Sequence, residues 1–207
     1  MKKTVMMSIV AIMVTVSVKG QQMFLKPMVG GALATLVGDI DKPKMKVGLV
    51  AGAEFGYNLN ETCSVTAGLL YSAQGTKYKE IAYDYWKLEY LNIPVLFNYY
   101  VAQGLAVKAG PQVGYLLSSK IPDFPIYDAM HTQPSPEPIG ESDIKNHCNK
   151  IDFSIPVGVS YEFCGFVLDA RYNIGISNIW KKDESWHLNS TRRNSVVMLT
   201  LGYKIPL

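Results

Sequence analysis

Along most of the chain, apolar side chains alternate with polar or small ones at a period of two, the pattern of strands with two unlike faces. The clearest run is Ile151 to Phe163. Ile151, Phe153, Ile155, Val157, Val159, Tyr161 and Phe163 form one set, and Asp152, Ser154, Pro156, Gly158, Ser160 and Glu162 the other. Leu105–Leu117 and Phe166–Ile176 repeat it, and weaker versions cover 24–37, 46–58, 63–74, 87–100 and 195–206. Eight strands are predicted. Short turns fall at Asn58–Thr62, Val101–Gly104 and Cys164-Gly165, and long connections at Gly38–Met45, Gly75–Tyr85, Ser119–Lys150 and Ile179–Asn194. They alternate, so all short turns lie at one end and all long loops at the other. That asymmetry matches an all-β, eight-stranded antiparallel up-and-down transmembrane β-barrel, with short periplasmic turns and long extracellular loops.

Alternation alone does not say which face is inside. A lipocalin-like soluble barrel would turn the apolar set inward. Two features oppose that. The polar set is rich in glycine (Gly48, Gly52, Gly56, Gly68, Gly110, Gly114, Gly158, Gly175 and Gly202), whereas a solvated strand face carries Lys, Glu and Thr. A narrow eight-strand lumen needs such small residues to make room for large ones. Tyr57, Tyr71, Tyr99, Tyr115, Tyr161, Tyr172 and Tyr203 all belong to the apolar set. Tyr57, Tyr99, Tyr161 and Tyr203 gather at the short-turn end and the other three toward the opposite end, as two interfacial aromatic belts would. Strands of about 13 residues tilted by about 40° rise roughly 33 Å, enough to cross an apolar band of about 25 Å.

With the apolar set against lipid, the lumen receives Lys26, Lys46, Glu54, Lys108, Asp152, Glu162, Asp169, Arg171 and Lys204. Unpaired charges in so narrow a space are costly. They are therefore expected to pair across the lumen as a salt-bridged plug, with structural pairing preferred over catalysis for the carboxylates.

Composition fits this picture. The 207 residues are 48% hydrophobic and 18% charged, which excludes a disordered chain. The formal charge is +3, with no basic excess that would suggest nucleic-acid binding. Met1-Lys2-Lys3, the uncharged run Thr4–Val18 and the small Gly20 read as a cleaved Sec signal over 1–20, leaving a barrel domain over 21–207. Removing Lys2, Lys3 and Lys19 takes Lys plus Arg from 20 to 17, equal to Asp plus Glu. No later apolar run is long enough for a transmembrane helix. Three cysteines, an odd number, exclude a complete disulfide framework, and Cys63, Cys148 and Cys164 are expected as free thiols.

The runs Tyr90-Leu91-Asn92-Ile93-Pro94-Val95-Leu96, Lys108-Ala109-Gly110-Pro111-Gln112-Val113-Gly114-Tyr115-Leu116, Asp152-Phe153-Ser154-Ile155-Pro156-Val157-Gly158 and Leu168-Asp169-Ala170-Arg171-Tyr172-Asn173-Ile174-Gly175 resemble the PorT-type outer-membrane β-barrel family of Bacteroidetes. The resemblance spans most of the mature chain. It implies an outer-membrane barrel and little chemistry. The founding member belongs to the type IX secretion and gliding apparatus, so it also implies secretion or envelope proteins as partners. Thr200, Gly202, Ile205 and Leu207 resemble a C-terminal barrel-assembly signal, departing from the commoner form by lacking a final aromatic residue.

Chemistry beyond the lumen would sit in the loops. Ser119–Lys150 carries Pro122, Pro125, Pro134, Pro136 and Pro138, which oppose regular structure in its middle. It also holds His131, His147 and Cys148 with Glu137, Glu141 and Asp143, but no paired-ligand spacing, so no metal site is predicted. His131, His147 and His187 with Ser118, Ser119 and Ser190 would be the material of a loop-borne enzyme, but no nucleophile motif accompanies them. Trp180, Lys181, Lys182, Trp186, Arg192 and Arg193 could hold acidic sugars or meet anionic head groups, the latter preferred. The expected protein is a non-enzymatic structural or interaction component, embedded in outer-membrane lipid with both termini periplasmic, and without cofactor. A small-solute pore and a loop-borne enzyme or ligand-binding barrel are the alternatives.

Overall fold

β-branched and aromatic residues alternating with small ones fill eight staves, and each stave hydrogen-bonds to its sequence neighbour. The computed structural model describes residues 22–39, 43–78, 85–123, 140–181 and 191–207. The strands are β1 (Met23–Gly38), β2 (Pro43–Asn58), β3 (Cys63–Tyr78), β4 (Tyr85–Ala102), β5 (Leu105–Ala109), β6 (Gln112–Asp123), β7 (Gly140–Asp143), β8 (Ile151–Phe163), β9 (Phe166–Gly175), β10 (Arg192–Tyr203) and β11 (Ile205–Pro206). β5 and β6 form one stave, since both pair with β4 on one side and β8 on the other. β11 continues β10 along β1. The ring closes where β10 pairs antiparallel with β1, from Met28 opposite Gly202 to Gly38 opposite Arg192. Among the described residues the only helix is a 3-10 turn, Lys145–His147.

Local chemistry explains the interruptions. Pro111 has no N–H to give the ladder, and the stave breaks there. Its carbonyl still accepts the Val95 N–H at 2.9 Å. In β6, Glu89 lies opposite Ser118 while Tyr90 lies opposite Leu116, so one extra residue enters the stave. This bulge reverses the inward phase: Leu116 and then Ser119 are buried, with exposed Leu117 between. A second irregularity lies between Met45 and Val50 of β2. The hairpin Cys164-Gly165 has φ of 51° and 82°, positive at both central positions, as a tight two-residue turn between right-twisted strands requires.

The wall is apolar outside and mixed inside. Val29, Leu69, Val95, Phe153, Val159, Leu168 and Leu199 are exposed on the outer surface. The strands reach further toward the long-loop end than the alternation predicts: β3 runs to Tyr78, β4 starts at Tyr85 and β6 continues to Asp123. Ser119–Lys150 thus begins in β6 and later holds β7 and the 3-10 turn. Its proline-rich middle lies outside the described residues, as do residues 1–20, expected as an export signal, and His131 and His187.

Candidate functional site

The lumen is built in three tiers. At its centre β1, β2, β5 and β9 each send charge inward. Lys26 and Glu54 face each other across the β1–β2 ladder, and their ion pair is 2.8 Å. Asp169 and Arg171 are two apart on β9, so they share the inner face. Arg171 Nε and Nη2 donate to Asp169 Oδ1 and Oδ2 at 2.6 and 2.9 Å. Arg171 Nη1 also reaches Glu54 Oε1 at 2.5 Å. Lys108 reaches past the intervening β8 to Asp169 Oδ2, and Lys26 lies 3.6 Å from the same oxygen. All five side chains are at most 4% exposed.

Glycine makes this possible at two positions. Gly68 lies opposite Glu54, and a Cβ there would stand 2.7 Å from Glu54 Cγ. Gly158 lies opposite Arg171, and a Cβ there would stand 2.3 Å from the Ala170 carbonyl oxygen and 3.1 Å from Arg171 Cγ. The long charged side chains fill the volume that these residues leave vacant.

Toward the short turns, Lys204 pairs with Glu162 at 2.8 Å and lies over the rings of Phe24 and Tyr100. Two expected members of the network stand apart from it. Asp152 accepts a 2.6 Å hydrogen bond from the Ser177 hydroxyl, and Lys46 donates to the Gln74 carbonyl at 2.9 Å. Both face the lumen but sit higher along their strands, out of reach of the central cluster.

The long-loop end is closed by apolar packing, which the sequence reading missed. Leu36, Trp86, Leu88, Tyr90, Leu116, Cys148 and Ile179 form one buried cluster, with Ile121, Ile144 and Trp180 packed against it. Two loop segments build the lid. Cys148 bridges to Trp180, and Asn149 Nδ2 donates to the carbonyls of Asn178 and Trp180, both at 2.9 Å. The rings of Trp86 and Trp180 lie 4.9 Å apart, and Trp86 Nε1 donates to Ser119 Oγ at 2.9 Å. The signal was present in Tyr85-Trp86-Lys87-Leu88-Glu89-Tyr90. There the apolar residues occupy the inward phase, opposite to their phase in Leu91–Tyr99.

Just outside that lid, Glu141 on β7 accepts hydrogen bonds from Lys87 and Tyr85. These bonds hold its carboxyl below the usual range. Glu141, Asp143, His147 and Cys148 do not converge: among the described residues no His, Cys, Asp or Glu cluster is placed to hold a metal. Arg192 lies over the Trp180 ring, while Lys182 and Trp186 fall outside the described residues. Cys63, Cys148 and Cys164 are free thiols. The seven tyrosines expected to form belts all lie on the outer face. Tyr57, Tyr99, Tyr161 and Tyr203 are near the short turns, and Tyr71 and Tyr115 each pair across the ladder with Leu91. Tyr172, opposite Val157, sits nearer mid-stave.

Residues 10–181 match the family model described as "Outer membrane protein beta-barrel domain". No curated protein matches the sequence. Among solved structures, Neisserial surface protein A (NspA) aligns with 88% of this chain and 97% of its own, at 13% identity and a TM-score of 0.56. Ail, the attachment invasion locus protein of Yersinia pestis, covers 89% and 99% at 14% identity and a TM-score of 0.49. OprG of Pseudomonas aeruginosa covers 91% and 98% at 12% identity and a TM-score of 0.40. At these identities the likeness is one of fold.

Proposed function

The chain belongs to the outer membrane protein beta-barrel domain family, and from that premise we propose that it is a closed, non-enzymatic barrel that works through its ends. It is an outer-membrane β-barrel protein surrounded by lipid. In this reading residues 1–20 are a cleaved export signal, the termini and short turns face the periplasm, and the long loops face outward. The barrel is a structural or interaction component of the envelope. The PorT-type resemblance supports partners among secretion, gliding or surface-assembly proteins.

One observation carries the closed reading: five buried charges from four strands meet at the centre of the lumen, below an apolar lid. A conducting path would have to break this cluster, and separating buried, hydrogen-bonded charges costs several kcal/mol. The phase inversion in β4 supports a water-exposed collar at the long-loop end. Below Tyr90 the wall turns its apolar face to lipid, and above it turns charge to water.

Planar-bilayer recording of the purified barrel tests the proposal. No steady single-channel conductance is expected at moderate voltage. Discrete, salt-dependent openings in the unmodified protein would replace this reading with a small-solute pore. Gentle purification of a tagged copy from its native membrane tests the partner. Stoichiometric co-purification of envelope proteins is expected, and a lone barrel would shift the function to the outer loops as a ligand or adhesion surface.

A further inference from the structure

The central cluster is not electrically balanced. Lys26, Lys108 and Arg171 face only two carboxylates, Glu54 and Asp169. One positive unit is left over where none of the five side chains reaches bulk water. An uncompensated charge in such a place is costly, so a counter-charge or the loss of a proton is required.

A cavity of about 20 Å³ adjoins the cluster on its short-turn side. Three lysines, Lys26, Lys108 and Lys204, line it against a single acidic residue, Glu162, whose carboxylate is paired with Lys204. Glu54 and Asp169 do not line it. The rest of its wall includes Ser64, Thr66, Asn98 and Ser160. The Ser64 hydroxyl is fully buried and has no hydrogen-bond partner. The Asn98 amide has only long contacts, 3.3 Å to the Ser64 carbonyl, 3.4 Å to the Thr66 hydroxyl and 3.5 Å to the Leu96 carbonyl. The pocket thus offers one spare hydroxyl, one weakly engaged amide and excess positive charge in a space the size of one bound water or monatomic ion. Tyr100 and Lys204 also line a depression of about 390 Å³ at the short-turn mouth, so these two side chains stand between the cavity and that opening.

We propose that this cavity binds a small inorganic anion, of which chloride is the representative, and that the anion completes the charge balance of the lumen. Lys26 and Lys108 supply the field. Ser64 and Asn98 donate hydrogen bonds, and the pocket is too small for an organic anion. The ion is a structural constituent of the barrel and holds whether or not the barrel has a protein partner.

The test is urea unfolding of the full-length mature barrel in detergent at constant ionic strength, exchanging gluconate for chloride. The expected result is a saturable rise in the unfolding midpoint with chloride. Two variants should abolish that rise. Lys108→Met leaves two cations against two carboxylates, so it folds without needing the ion, and Ser64→Ala removes the spare donor while keeping the charge. A crystal soaked in bromide should show an anomalous peak between Lys26, Lys108 and Ser64. A midpoint indifferent to chloride, an equal chloride response in both variants, or an empty cavity in the bromide-soaked crystal would each overturn the proposal.

Discussion

Arg171 is the residue on which the lumen turns. It gives Asp169 two hydrogen bonds and also reaches Glu54, so it ties two carboxylates from different strands. Lys108 holds only one of them. Arg171→Met should therefore destabilise the barrel by about 3 kcal/mol, the scale for breaking a buried, hydrogen-bonded ion pair, and Lys108→Met by clearly less. Lys at position 171 should not restore the loss, because one ammonium cannot serve both carboxylates in the geometry of a planar fork. Urea midpoints of the three variants check this, and equal midpoints for Arg171→Met and Lys108→Met would show that the cluster has no hub. The spacing of Asp169 and Arg171 and the inward phase of Lys26, Glu54 and Lys108 can be read from the sequence. Which charges meet cannot, since Arg171 on β9 finds Glu54 on β2 only through the width and stagger that ring closure sets. Asp152 shares the inward phase and still joins a hydroxyl, because its height along β8 is set by register.

At the scale of elements, β4 carries the most information. Its backbone keeps one phase through Leu88, Tyr90, Asn92, Leu96 and Asn98, all buried. The chemistry on that phase changes at Tyr90, from apolar above to a mixture below, where Asn92 and Asn98 alternate with Pro94 and Leu96. An outer face bearing Lys87 and Glu89 cannot sit in hydrocarbon, so this stretch belongs to a short water-exposed collar. Reading each strand with a single phase rule hides the collar, and with it the apolar lid. The bulge at Leu117–Ser118 adds to the difficulty by shifting Ser119 inward beneath Trp86. The lid predicts a kinetic signature. Cys148 is fully buried under Trp86 and Trp180, so a maleimide should label it far more slowly than exposed Cys164. Trp86→Ala should cost about 3–5 kcal/mol and bring Cys148 labelling close to the rate of Cys164. The β7 flap depends on Glu141. A depressed carboxyl contributes stability that is complete above its unfolded value and lost as pH falls through its folded value. Glu141→Gln should mimic that loss at neutral pH, as faster amide exchange over Gly140–Asp143 with no change in the barrel strands.

For the whole molecule, the same residue types have opposite roles on the two faces of one wall. Inside, charge is held by charge in a space made by glycine. Outside, it has no partner and meets lipid. The cost of an outward charge therefore measures depth in the bilayer and locates the membrane on the barrel without assuming which end faces which compartment. Leu69 lies in the middle of β3 and is 52% exposed on the outer face. Phe163 is also outward, 67% exposed, but borders the Cys164-Gly165 turn. Leu69→Arg should destabilise the barrel by about 2–4 kcal/mol in phospholipid vesicles, and Phe163→Arg by about 0–1 kcal/mol. In both cases folding into vesicles is followed by urea titration. The contrast belongs to the bilayer and not to the protein interior, so it should shrink in detergent micelles, which deform around a charge. Equal costs at the two positions would mean that the apolar band is not centred on the staves. The tyrosines near the short turns would then mark the body of the wall and not its interface with water.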